Sequence, residues 1–320
     1  MTVQGAAPGQ LRNLAERIAE TGAAAWIVVL CLAAAIGVES SLFLSSRNIA
    51  NLLSETVVLG LVTVGEALVM LAGQIDLSVG SLASLTAMLS AGLINGRSDL
   101  VAPVLLLVLA LGAVVGAIQG TLVTRFRVNS FIVTLGSYYA LQGLAFAYSQ
   151  TPVGSVPDWL ANIPYLGAGP LPAYFVGLLL LIAVVSWVLR RTVVGRHLYA
   201  VGGDAEVARM VGIRARAVVV TVFIVSGTLA ALAGFVLTMK ATVGTPSAGS
   251  GLELDAITAC VLGGISLSGG RGSLPGAVGG VILLTLIQNV FTLLHISSYF
   301  HNVVLAFVIL AAVTVFVRRD

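Results

Sequence analysis

Long apolar runs recur along almost the whole chain, and they restrict its fold more than any single motif does. A helix that crosses a bilayer needs about 20 mainly apolar residues. Ten runs meet or approach that length, at about 23–43, 54–72, 79–95, 100–123, 130–148, 171–189, 217–238, 252–267, 274–294 and 300–317. Of 320 residues, 58% are apolar and 9% charged, and the mean hydropathy is +1.06. Soluble domains carry about a quarter charged residues. No soluble core of this size can hide so much apolar surface, so the solvent must be lipid. The fold expected is all-α and polytopic, with about ten transmembrane helices. The domain division expected is a polar segment, 1–22, followed by one transmembrane unit, 23–320.

The distribution of arginine orients those helices. Cytoplasmic loops of membrane proteins are enriched in Lys and Arg. With the N-terminus inside, Arg12, Arg17, Arg125, Arg127, Arg190, Arg191, Arg196, Arg209, Arg214, Arg216, Arg271, Arg318 and Arg319 fall on the cytoplasmic side. Only Arg47, Arg97 and Lys240 fall outside. Both termini are therefore expected in the cytoplasm. The longest outside loop, 149–170, has no basic residue and carries Pro152, Pro157, Trp159, Pro164 and Pro170, which suits a surface cap. Five spans precede it and five follow, an arrangement that permits two halves of inverted topology. The net charge of +3 is small and spread over loops, so it speaks for orientation in a bilayer and not for nucleic-acid binding.

Several functional classes are disfavoured. Residues 1–22 are polar, with Arg12, Glu16, Arg17 and Glu20 at helical spacing, and read as a short amphipathic helix over 9–21, not as a cleavable signal peptide. Cys31 and Cys260 lie far apart in apolar runs and read as spectator thiols. No His/Cys/carboxylate cluster suggests a metal, and no Ser/His/Asp set with a nucleophile elbow suggests a hydrolase. No G-x-x-x-x-G-K-[ST] occurs, and Lys240 is the sole lysine, so the chain has no Walker A site. Neither catalytic residues nor a cofactor are expected.

Two breaks carry carboxylates. Residues 73–81 read GQIDLSVGS, and residues 249–258 read GSGLELDAIT. Asp76, and Glu253 with Asp255, thus stand beside Gly and Ser at the start of a following helix, the latter pair at the external end of the eighth span. A carboxylate costs several kcal/mol at the bilayer centre, and less at a helix N-terminus, where free N–H groups favour an anion. Asp76 or Ser78 could cap the third span; equally, the break could be a polar point on a transport path or its gate. Glycines from Gly263 to Gly280 permit sharp turns and close helix approach, Gly276 and Gly280 forming a small-xxx-small pair. Glu66, Gln119, Gln142, Gln288, Asn289 and Asn302 lie within apolar spans and need partners away from lipid. Glu66 is the costliest. Glu66, Asp76, Ser78, Glu253, Asp255 and Asn289 are the candidates for a path or gate.

The densest polar stretch is 190–216, RRTVVGRHLYAVGGDAEVARMVGIRAR, with six of the sixteen basic residues. Arg190 and Arg191 would stop the sixth span at the interface. Gly202-Gly203-Asp204 reads as a turn with Asp204 as N-cap, and 205–211 as a helix of about two turns ended by Gly212. Orienting a protein needs charge only. It does not need a capped helix between glycine turns, which is what a docking element requires.

At these residues the chain resembles the permease subunits of ATP-binding cassette sugar importers, the ribose/xylose type of the branched-chain permease family. IDLSVGS at 75–81 matches a family signature, in which Gly, sometimes Glu, often stands at the position of Gln74. GRHLYAVGGDAEVARMVGI at 195–213 resembles the loop G-R-x-x-Y-A-x-G-G-N-x-x-A-A-x-x-x-G-I, with Asp204 in place of Asn. ELDAITACVLGGISLSGGRGSLPGAVGG at 253–280 resembles the C-terminal block. The likeness covers about 45–318. It implies a pore formed with a second permease, identical or related, two cytoplasmic ATPases docked beneath, and a periplasmic sugar-binding protein above, all in a bacterial inner membrane. It implies that 190–216 is the loop that couples to the ATPase, with Gly195, Arg196, Tyr199, Gly202, Gly203, Ala208, Arg209 and Gly212 matching the family pattern and Asp204 and Glu206 within it. The expectation is a non-enzymatic permease for a ribose- or xylose-like monosaccharide. The alternatives are the same importer carrying a nucleoside or other furanose, and an ion-coupled secondary transporter with Glu66 or Asp76 as its ion site.

Overall fold

A computed structural model describes residues 23–39, 42–296, 300 and 303. The helix expected at 9–21, the tenth span at 300–317, Asn302, His301 and the arginines of both termini lie outside the described residues. Among the described residues there are twelve α-helices. They are α1 (Ala23–Glu39), α2 (Ser46–Leu71), α3 (Val79–Ile94), α4 (Val101–Arg125), α5 (Ser130–Tyr148), α6 (Asp158–Asn162), α7 (Ala173–Arg191), α8 (Val193–Gly203), α9 (Ala205–Met210), α10 (Ala215–Ala241), α11 (Leu252–Leu262) and α12 (Leu274–Leu293). A two-residue hairpin, β1 (Gly167–Ala168) with β2 (Leu171–Pro172), belongs to the 149–172 cap with α6. Val153 and Gly244 form a bridge that ties this cap to the end of α10.

Six helices are long and apolar enough to span: α2, α4 with the 3-10 turn at Ser98–Leu100, α5, α7, α10 and α12. The chain is thus a polytopic helical membrane protein. The runs at 23–43, 79–95 and 252–267 form shorter helices of 17, 16 and 11 residues. The last two are preceded by polar residues that stay out of the helix. Residues 72–78 are a turn and an irregular stretch, and so are 242–251.

α2 and α10 form the middle of the molecule. α2 is buried from Thr56 to Leu71, and α10 packs on α4, α3 and α2. In lipid, burying one apolar side chain against another gains little, so close approach and hydrogen bonds must hold helices together. The sequence supplies the approach through Gly112, Gly116 and Gly120 on one face of α4. A β-carbon on Gly116 would overlap the Phe223 carbonyl of α10, and one on Gly112 that of Gly227. α11 and α12 cross in the same manner, with Gly280 against the Ala259 backbone, so the Gly276/Gly280 pair does include a close-contact glycine.

The second break runs back into the molecule. After α10 the chain passes Met88 at Gly244, then lies against Gly80 and Ser84 at Gly249, whose N–H donates to Ser84 Oγ at 2.9 Å. α11 therefore starts beside the first turns of α3, where the Glu253 carboxylate lies over Gly80. Glu253 is accordingly at the depth of the first break and not at an outer helix end, because 242–251 uses up the return path before the helix begins.

Candidate functional site

Around the first break lies a buried polar cluster drawn from four helices and the break itself. The Asp76 N–H donates to Glu66 Oε1 of α2 at 3.2 Å. Asp76 Oδ1 accepts from the Ser78 N–H at 3.0 Å and the Ser78 hydroxyl at 2.7 Å. Asp76 Oδ2 accepts from the Ser226 hydroxyl of α10 at 3.1 Å. Gln119 of α4 donates to Ser78 Oγ at 2.7 Å. Ser130, the first residue of α5, accepts from the Ile75 N–H at 3.3 Å, and Thr134 of α5 donates to the Ile75 carbonyl at 3.3 Å. The break is thus pinned to α2, α4, α5 and α10 by hydrogen bonds, as irregular backbone at membrane depth must be. Glu66 and Asp76 are almost fully buried, and among the described residues neither forms an ion pair with a basic side chain.

Ser78 occupies the N-cap position of α3 but makes no capping hydrogen bond. Its hydroxyl is already committed as donor to Asp76 and acceptor from Gln119. Asp76 bonds Ser78 itself, so the expected side-chain cap on α3 gives way to a link between helices. Glu253 Oε1 accepts from the Gly251 N–H at 3.3 Å, and Asp255 is half-buried in the same turn of α11. Asn289 is elsewhere: it exchanges hydrogen bonds with Asn48 at the start of α2, at 2.9 and 3.0 Å. Gln142 donates to the Pro246 carbonyl at 2.7 Å.

The polar loop 190–216 is built differently from the turn and helix expected. Thr192 ends α7 by donating to the Val188 carbonyl at 2.7 Å and starts α8 by accepting from the Gly195 N–H at 3.4 Å. One residue thus turns the chain between two helices. α8 then continues through Gly202 and Gly203, so no glycine turn precedes Asp204. Asp204 does cap α9, its Oδ1 accepting from the Glu206 and Val207 N–H groups at 2.8 and 3.0 Å. Those two bonds, Val207's first, hold the Asp204 carboxyl below the usual carboxylate range. α9 ends at Gly212, whose φ of 86° is the left-handed conformation that glycine adopts freely.

Within this loop the predicted residues divide. Gly195, Gly202 and Ala208 are buried and Tyr199 half-buried; Arg196, Gly203, Asp204, Glu206 and Arg209 are exposed. Arg209 pairs with Glu206 at 2.7 Å. α8 brings Tyr199 and Gly202 against the first break and the loop 269–272 after α11. A β-carbon on Gly202 would overlap the Leu71 carbonyl and come within 2.6 Å of the Gly270 N–H. That N–H donates to the Leu71 carbonyl at 3.0 Å. The Tyr199 hydroxyl donates to the Gly272 carbonyl at 3.0 Å. Burial pushes this hydroxyl's pKa up, although Arg190 pulls it down, so it stays a donor. The last turn of α8, the end of α2 at Gly73 and the loop 269–272 therefore meet backbone to backbone.

Sequence reasoning missed several residues here. Ser226 gave no signal in an apolar run. The Gly112/Gly116/Gly120 spacing was readable and predicts the α4–α10 contact that delivers Gln119 to Ser78. On α9, Val207, Met210 and the following Val211 are largely exposed, a small apolar patch beside charged neighbours.

Comparison with known proteins decides the family. The family described as branched-chain amino acid transport system / permease component matches residues 48–313. The chain belongs to this permease family. It is 37% identical over 296 residues to the ribose import permease protein RbsC of Escherichia coli strain K12, covering 90% of this chain and 91% of that one. It is 36% identical to the autoinducer 2 import system permease protein LsrC of Photorhabdus luminescens, over 90% of this chain and 87% of that protein. It is 33% identical to the L-arabinose ABC transporter permease protein AraH of Azospirillum brasilense, over 90% and 85% respectively. No solved structure matches. Like these permeases, the chain is a multi-pass protein of the bacterial inner membrane.

Proposed function

We propose that this chain is the membrane permease of an ATP-driven importer for a ribose-like monosaccharide, working with a second permease copy or relative, two cytoplasmic ATPases and a periplasmic sugar-binding protein. It performs no chemistry itself. The observation that carries the reading is the junction of Gly202 with Leu71, Gly73 and Gly270, which joins a cytoplasmic docking loop to the first polar break and to the loop that follows α11.

In this reading α9 docks the ATPase through Val207, Met210 and Arg209, with Asp204 and Glu206 holding its shape. Exposed apolar side chains on so short a helix favour a protein partner. α8 passes the displacement inward through Gly195, Tyr199 and Gly202. The pinned break at Glu66, Asp76 and Ser78, with Glu253 and Asp255 facing it from α11, acts as the gate between outward and inward states. ATP shifts that equilibrium only insofar as its binding favours one state over the other. The paired arrangements α2–break–α3 and α10–break–α11 support an inverted repeat, and the arginine distribution supports ten spans with both termini in the cytoplasm. The three relatives are named for ribose, autoinducer 2 and L-arabinose, and among the described residues no basic side chain pairs with Glu66 or Asp76, which favours a neutral solute.

The test is uptake of labelled ribose by proteoliposomes that hold the permease with its ATPase, supplied with the binding protein. Uptake that requires ATP and the binding protein supports the reading. Uptake by the purified chain alone, driven by a proton gradient, would establish the ion-coupled alternative instead.

A further inference from the structure

A second feature of the cytoplasmic end lies beside the docking helix α9. A cavity of about 520 Å³ opens between α9, the turn from α4 to α5 and the start of α10. Its polar wall includes Gln74, Arg127, Asn129, Glu206, Arg209 and Arg216. Three guanidinium groups and one carboxylate leave two positive charges uncompensated. Arg209 is engaged by Glu206 at 2.7 Å, but Arg127 and Arg216 have no ion-pair or hydrogen-bond partner among the described residues. They come from different elements, so helix periodicity does not account for their convergence on one cavity.

Two further observations point the same way. Arg127 takes φ of 56°, a left-handed conformation uncommon for a residue with a side chain and often retained where a site needs it. α10 begins at Ala215 with no side-chain cap, so its first-turn N–H groups add positive potential beside Arg216. By contrast α5, which borders the same cavity, is capped by Asn129 accepting from the Phe131 N–H at 2.8 Å.

We propose that this cavity binds a phosphate group, carried by a phosphate monoester or by a phospholipid headgroup. A phosphate monoester carries about −1.5 to −2 charges near neutral pH, which balances the excess. Guanidinium forks meet phosphate oxygens in pairs of parallel hydrogen bonds. Since α9 forms one wall, an occupant here touches the element that docks the ATPase.

The experiment measures binding of inorganic phosphate, a pentose 5-phosphate and the neutral pentose to the full chain in nanodiscs of phosphatidylcholine, and again with phosphatidylglycerol added. Saturable binding of the two phosphates but not of the neutral sugar is expected in phosphatidylcholine. The double variant R127Q/R216Q should weaken it by at least about tenfold, as expected for lost charge-assisted hydrogen bonds. R190Q, outside the cavity, should bind as the parent does. If the double variant melts below the parent, R127Q and R216Q singly should each weaken binding about threefold or more. Phosphatidylglycerol retained by the parent but not by the double variant, displacing the soluble phosphates, would assign the site to lipid. Absence of both phosphate binding and selective lipid retention overturns the proposal, as does equal loss in R190Q.

Discussion

Only Asp204 separates α8 from α9, yet they meet opposite surroundings. α8 ends in a place where backbone touches backbone and no β-carbon fits at Gly202. α9 stands in solvent, held by one cap and one ion pair. As a sequence block they look like a single loop. In the proposed function they do different work: α9 offers a surface to a partner, and α8, fitted against backbone at Gly202, carries along what it touches. Neighbouring glycines show the contrast most sharply. Gly202 is jammed, whereas nothing lies within 4 Å of a β-carbon on Gly203.

The largest effect is expected where the fit is tightest. Gly202→Ala should lower unfolding stability in detergent by about 2–3 kcal/mol, the range of an overpacked interior site, whereas Gly203→Ala should stay within about 0.5 kcal/mol. Equal effects would erase the distinction between the two helices. Next comes the proposed gate. Asp76→Ala strands the Ser78 and Ser226 hydroxyls and the Ser78 N–H, and should cost about 2–3 kcal/mol. Asp76→Asn keeps an acceptor for Ser78 and should cost roughly half as much. On α9, replacing Val207 and Met210 together by Ser should leave thermal stability unchanged but reduce co-purification with the ATPase by about tenfold, the loss of a small hot spot. Retained co-purification would move the docking surface elsewhere.

The smallest effect concerns the cap of α9. Asp204→Ala should speed hydrogen exchange at the Glu206 and Val207 amides several-fold, with little change in global melting. Its pH dependence has a definite sign. Because the folded-state pKa of Asp204 is lowered, the cap's contribution is full above the unfolded carboxylate value and is lost as pH falls through the folded one. Asp204→Asn should keep the cap and remove that acid sensitivity.

Much of this was legible in the chain. Hydropathy marks the long spans because residues that face lipid must be apolar. Asp204 and Gly212 mark the ends of α9 because cap chemistry is local. Glu66 and Asp76 were legible as costly groups, and the structure brings both to one cluster with Ser78. Four features were not. Ser226 and the junction at Gly202 are long-range contacts, and a small residue announces a close approach without naming its partner. α8 escaped because Gly202-Gly203 reads locally as a turn, while the helix is held from its other end by Thr192 and by packing on the Leu71 carbonyl. The depth of Glu253 escaped because nothing in GSGLELDAIT says that the preceding residues fold back along α3.

The most direct test compares Gly202→Ala with Arg209→Glu in proteoliposomes containing the ATPase, scoring ATPase retention and sugar uptake per folded permease. Gly202→Ala should keep the ATPase bound and lose at least about tenfold in uptake, as expected when a fitted contact and not a docking surface is disturbed, while Arg209→Glu should lose the ATPase itself. Uptake by Gly202→Ala at the parent's rate, or loss of the ATPase from both variants alike, would contradict a division of labour in which α9 docks and α8 transmits.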